Sequence, residues 1–269
     1  MRIGNPAVPS WARSSITLMM LSVATTTCCV FAQFPGPPPG PPPAPRASAP
    51  VDLTGYWVSL VTEDWRARMT TPAKGDFESI PLNGEGRKIA GEWDPVKDET
   101  TGSQCKGYGA GGVMRLPGRL HISWQDDDTL KLETDAGTQT RILHFGTPQG
   151  HEGDWQGVSV ATWDVPGTPM TAGGFSLGGP GGPEKGGALK VLTTRMKAGY
   201  LRRNGIPYSE NAVITEYYDR FDIPGGDSLL VVSTEVVDPK YLAAPYWTST
   251  HFKKQSDGAG WNPSSCSTR

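Results

Sequence analysis

The chain has 269 residues with 25 basic and 27 acidic side chains, a formal charge of -2, and charges of mixed sign argue against the clustered basic face that a nucleic-acid surface needs. Its 34 glycines and 25 prolines exceed ordinary use and concentrate in two stretches, which marks linkers and loops more than core. Beyond the first residues no apolar run approaches membrane length, and the part after residue 50 suits one all-β domain.

The start reads as a secretory signal. Arg2 and Arg13 give a basic region, Ile16 to Ala24 an apolar run too short to span a bilayer, and Val30, Phe31 and Ala32 a cleavage site before Gln33. Residues 1–32 are therefore expected to be removed, with cleavage after Ala32. An uncleaved anchor fits less well, because Cys28 and Cys29 interrupt the apolar run and no stop-transfer charges follow. A lipoprotein also fits less well, since Thr26, Thr27 and Cys28 before Cys29 match a lipobox poorly. Residues 33–50 hold the Pro/Gly run from Phe34 to Pro45 and read as a semi-rigid polyproline II tether. Residues 51–269 then form a single module. The destination is the periplasm or the extracellular space.

Removing the signal leaves Cys105 and Cys266 of the four cysteines. An even pair in an oxidising compartment is most simply a disulfide, with two buried free thiols as the alternative.

Within the module, alternating or β-rich runs predict strands at 55–62, 119–124, 130–134, 139–145, 155–163, 188–196, 212–221, 228–237 and 246–253. Turn chemistry separates several of them: Asp126 to Asp128, Asp135 to Gly137, and Pro224 to Asp227. Only 83–93, and to a lesser degree 239–243, read as short helices. With strands this close in sequence and no helical crossovers, the pairing predicted is antiparallel, and a parallel sheet is excluded. About nine strands must hide their edges, and closure into a barrel does so. The glycine-rich stretch Gly173 to Gly187 opens no helix with Gly-Lys-Ser/Thr, so it reads as a loop and not as a phosphate cradle.

Two resemblances bear on the fold. Gly55, Tyr56 and Trp57 on the first strand resemble the Gly-x-Trp signature of lipocalin-like, avidin-like calycin barrels. In those the glycine bends the chain into the barrel and the tryptophan plugs its closed end. Calycins stack a C-terminal arginine on that tryptophan; the last strand here offers Lys253 and Lys254 instead. Over nearly the whole mature chain, the stretch from Pro81 to Pro95, Cys105, Asp154 to Gly157, Arg203 to Ser209, Ile214 to Glu216 and Val237 to Pro239 resemble an uncharacterised family of secreted proteobacterial and acidobacterial proteins. That likeness implies export and a shared fold, and no activity.

Chemistry is less plainly written. His121, His144, His151 and His251 form neither His-x-His nor His-Glu-x-x-His, so no metal site is expected. Asp126 to Asp128 read as a solvated turn, and Ser159 lies within a strand with no nucleophile elbow. No cofactor is implied. What remains are polar residues inside apolar strands: His121, Arg141, Glu216, Glu235 and His251. Strand alternation turns such residues to solvent by default; those facing inward would be paired or perturbed. Glu216 and Arg141 are the preferred inward pair, with His121 as a third member and Trp57 and Tyr218 as aromatic lining. The function expected first is binding of a small, partly apolar ligand in the barrel lumen. A lumen enzyme (lyase, isomerase or hydrolase) comes second, and an envelope structural or interaction module third. A lumen packed with side chains favours the third.

Overall fold

The structure, a computed structural model, describes residues 42–148, 153–165 and 187–268. The signal-like start, most of the proline-rich run and most of the glycine-rich stretch lie outside the described residues. Eleven strands are present among the described residues: Gly55–Leu60 (β1), Arg119–Trp124 (β2), Thr129–Thr134 (β3), Gln139–Phe145 (β4), Val158–Asp164 (β5), Ala188–Thr194 (β6), Gly199–Arg202 (β7), Ile206–Tyr208 (β8), Val213–Asp222 (β9), Ser228–Val237 (β10) and Tyr246–Lys254 (β11). All but β7 and β8 close into a barrel in the order β1-β11-β10-β9-β6-β5-β4-β3-β2. The nine barrel strands are those the alternation predicts, and β7 and β8 form a separate two-stranded hairpin.

A ring with an odd number of strands cannot alternate direction all the way round. One neighbouring pair must run the same way, and here it is β4 and β5, with Leu143 opposite Ser159 and Phe145 opposite Ala161. The expectation of antiparallel pairing throughout fails at this one seam. Residues 146–157 lead from the end of β4 to the start of β5, a connection long enough to return along the barrel, as a parallel pair requires.

Register fixes what faces inward. Side chains alternate across the sheet, and Trp57 (β1), Ile122 (β2), Leu132 (β3), Leu143 (β4), Ala161 (β5), Val191 (β6), Tyr218 (β9), Val232 (β10) and Phe252 (β11) belong to one buried cluster. Every barrel strand thus contributes to a filled interior.

One end of the barrel is covered by the long connection from β1 to β2, which carries the helices Trp65–Met69 (α1), Gly84–Gly91 (α2) and Pro95–Thr100 (α3). The predicted helix at 83–93 is α2, capped by the Asn83 side chain, which accepts from Gly86 N–H at 2.9 Å. The segment 239–243 is a turn instead. Leu242 N–H bonds to Asp238 O at 2.9 Å, and Leu242 then bridges to Leu82. α3 starts at Pro95 behind the Asp94 cap, a signal that the strand-dominated pattern hides. A second core joins this cover to the barrel: Ile80, Leu82 and Tyr208 pack with Ile214, Val236 and Tyr246 of β9, β10 and β11.

At the opposite end residues 42–54 lie against the barrel. Trp163 Nε1 donates to Pro45 O at 2.8 Å and Arg220 Nη1 to Asp52 O at 2.7 Å. Beneath them Trp124, Phe145 and Trp163 pack ring on ring, 5.3–6.4 Å between centroids.

The C-terminal segment straps the outside. Gln255 N–H bonds Tyr56 O at 2.8 Å, Ser264 N–H bonds Asp135 O at 2.8 Å, and Cys266 joins Cys105 in a disulfide across a separation of 161 residues. Closing so long a loop stabilises the fold by up to about 5 kcal/mol through the unfolded chain. Cys266→Ser is expected to lower the unfolding free energy in urea by about 2–5 kcal/mol. Identical urea midpoints for the variant and the oxidised parent would contradict a structural role for the bridge.

Candidate functional site

Of the five polar residues singled out from sequence, two face the barrel interior, while His121, Glu235 and His251 each lie between buried neighbours on their strands and face outward. Arg141 and Glu216 meet inside the barrel, held on β4 and β9 with β5 and β6 between them. Arg141 Nη1 donates to Glu216 Oε1 at 2.9 Å and Nη2 to Oε2 at 2.5 Å, a bidentate fork. Nη2 also reaches Thr193 Oγ1 at 3.1 Å on β6, which is 2.8 Å from Ser159 Oγ on β5. Tyr218 lies beside them, its hydroxyl 3.4 Å from Arg141 Nη1. Both charged side chains are 0% exposed. Burial alone would lower the Arg141 pKa, but the facing Glu216 carboxylate outweighs it and holds the guanidinium above the usual arginine value. Burial, followed by the Glu216 charge, pushes the Tyr218 hydroxyl well above the ordinary tyrosine value, so it stays protonated. Arg141 Nε has no partner among the described residues.

Trp57 belongs to the same core. Its Nε1 donates to Leu53 O at 2.9 Å, and the Lys254 ammonium sits 4.6 Å from its ring centroid while donating to Thr54 O. His121 is elsewhere. Its neighbours Leu120 and Ile122 fill the interior, so its own ring turns outward, stacks on Tyr56 at 4.2 Å, meets the edge of Trp261 and faces Glu133 Oε2 at 3.0 Å.

A second polar cluster lies on the outside, at the covered end. The Glu63 carboxylate receives Arg68 Nη1, Arg115 Nη1 at 3.2 Å and the Thr62 hydroxyl at 2.7 Å, and faces His251 Nδ1 at 3.1 Å. Burial would raise the Glu63 pKa; the Thr62 hydrogen bond and the charges of Arg68 and Arg115 together outweigh it and hold the carboxyl below the usual glutamate range. Arg115 continues the network through Nη2 to Asp64 Oδ2 at 2.6 Å and Nη1 to Ser249 O at 2.8 Å. Of this group the sequence singles out only His251. A run of charges from Glu63 to Arg68 directly after a strand is the signal that could have drawn attention to the rest.

Beside this cluster two surface grooves share Glu78 and Ser79. One, of about 460 Å³, includes Asp64, Trp65, Arg66, Asp76 and Arg202 in its walls; the other, of about 750 Å³, includes Phe77, Arg87, Tyr246 and Trp247. Trp65 is 64% exposed and Trp247 56%. Asp64 and Ser79 both adopt left-handed backbone conformations, with φ of 46° and 68°. Such conformations are uncommon outside glycine and cluster at functional sites. Both tryptophans are on the outside of the barrel, away from its buried interior.

No protein family matches this chain, and no significant match exists among curated proteins or solved structures.

Arg141→Met is expected to cost about 3–5 kcal/mol of stability, because it strands a carboxylate in the core. Adding Glu216→Leu should recover most of that loss in the same denaturation assay. A single variant as stable as the parent would show that the pair is not buried.

Proposed function

We propose that this is an exported binding module that holds a neutral carbohydrate chain along the two outer grooves at the covered end of its barrel. The observation that carries the reading is the pair of indoles, Trp65 and Trp247, each more than half exposed beside adjoining grooves. Burying a large aromatic is favourable by a few kcal/mol, roughly, so two left out on neighbouring concave surfaces point to something that covers them. The flat C–H faces of a sugar ring match an indole face. Its hydroxyls both donate and accept, which suits a wall where Arg66, Arg87 and Arg202 mix with Asp64, Asp76 and Glu78. That balance of sign favours a neutral, hydroxyl-rich ligand over a polyphosphate.

Several features support export: the signal-like order of the first residues, the Cys105–Cys266 disulfide, and the lack, among the described residues, of any helix long and apolar enough to cross a membrane. A calycin-like closure is supported by Gly55 at φ 105° and by Lys254 over Trp57, where a lysine stands in for the arginine of that pattern. The filled interior draws support away from a ligand or a reaction in the lumen. It favours the reading as an interaction module whose working surface is external.

Titration with soluble β-glucans, cello-oligosaccharides and chito-oligosaccharides, followed by tryptophan fluorescence and calorimetry, tests this. At least one should bind, and Trp65→Ala and Trp247→Ala should each weaken it by about tenfold or more, the scale of a hot-spot aromatic. Phe221→Ala, exposed elsewhere, should leave it unchanged. Failure of all three classes to bind, or binding indifferent to both tryptophans, would overturn the proposal.

A further inference from the structure

Ser249 and His251 are two residues apart on β11. Their neighbours Thr250 and Phe252 point into the barrel and are buried, so both lie on the outer face. Ser249 Oγ is 3.2 Å from His251 Nε2. The other ring nitrogen, Nδ1, faces Thr62 Oγ1 at 2.7 Å and Glu63 Oε2 at 3.1 Å. These contacts fix the tautomer together. The Thr62 hydroxyl donates its proton to Glu63 Oε2, so towards His251 it can only accept, and the carboxylate can only accept as well. Nδ1 must therefore carry the hydrogen of the neutral ring, which leaves Nε2 with a lone pair directed at the Ser249 hydroxyl.

Glu63 is locked in turn by Arg68 and Arg115, so the imidazole is held from behind by a fixed anion. The group is reachable, with the His251 side chain 29% exposed and that of Glu63 27%. Arg115 Nη1, 2.8 Å from the Ser249 carbonyl oxygen, brings a cation next to the serine. Neither Ser249 nor His251 is among the residues that form the two carbohydrate grooves, so this cluster is independent of the binding reading.

We infer that Ser249 is a nucleophile that hydrolyses short acyl esters, with His251 as its general base and Glu63 as the residue that positions His251. The Ser249 oxygen attacks the ester carbonyl carbon while its proton passes to His251 Nε2. The carbon–oxygen bond to the alcohol then breaks, and the alcohol leaves with that proton, so an acyl-serine ester remains. Water attacks the same carbon, gives a proton to Nε2, and the free acid departs as the proton returns to Ser249. The open outer face of β11 suits a short acyl group.

The test uses the full mature chain with diisopropyl fluorophosphate and peptide mapping, alongside p-nitrophenyl acetate turnover. Phosphorylation is expected on Ser249 and should fall at least about tenfold in His251→Ala; Ser249→Ala should lose both label and turnover. Glu63→Gln is expected to lower kcat with little change in KM, and Glu63→Asp to restore part of it, a pattern that loss of packing alone does not give. Thermal melts of the Ser249 and His251 variants should match the parent, since both side chains lie outside the core. Label at another residue, no label at all, or labelling indifferent to His251→Ala would overturn the inference.

Discussion

The ion pair between Arg141 and Glu216 sets the terms for the rest of the fold. Two charges taken out of water cost several kcal/mol each, roughly, unless each is met by its partner and by further hydrogen bonds. Here the fork is bidentate, Thr193 and Tyr218 complete much of its polar contact, and every barrel strand adds apolar side chains to the buried interior. Such an arrangement holds only where water is kept from both ends. The second core beneath the β1–β2 connection covers one mouth. The Trp124, Phe145 and Trp163 rings with residues 42–54 cover the other. The disulfide pins the strap that closes over the outside.

A core used in this way leaves chemistry to the surface. The same alternation that sends Thr250 and Phe252 inward sets Ser249 and His251 outward, and the long connection after β1 brings Glu63, Arg68 and Arg115 against them. Left-handed residues at Asp64 and Ser79 cost local free energy, and both stand in the wall of one groove. A polar network, two left-handed residues and two exposed indoles thus gather in one region, where the covering connection meets β11.

Much of the architecture was legible in the sequence because it rests on local rules. Period-two alternation marked the barrel strands, Gly55 and Trp57 marked the first of them, and the two cysteines left after the signal-like start implied their bond. The pairing of Arg141 with Glu216 was reachable too, since each sits in step with an apolar residue two positions on, Leu143 and Tyr218, that fills the core. His121 looked the same in sequence, a polar residue between Leu120 and Ile122. A strand puts immediate neighbours on opposite faces, so buried neighbours turn His121 outward. The parallel seam at β4 and β5 was not legible, because it follows from the strand count of the closed ring and from no local signal. The Glu63 cluster was hidden for a similar reason: its members are separated by up to 189 residues and meet only through tertiary packing.

The central claim is that the barrel interior is a sealed core and not a binding cavity. It is tested most directly by NMR on the guanidinium group of Arg141 in the native protein, through the hydrogen-exchange rates of its Nη protons and their response to added fatty acids and other small apolar ligands. The account predicts slow exchange, limited by unfolding of the barrel, and resonances that do not move with any such ligand. Fast exchange in the folded state, or a saturable shift on adding a ligand, would contradict it.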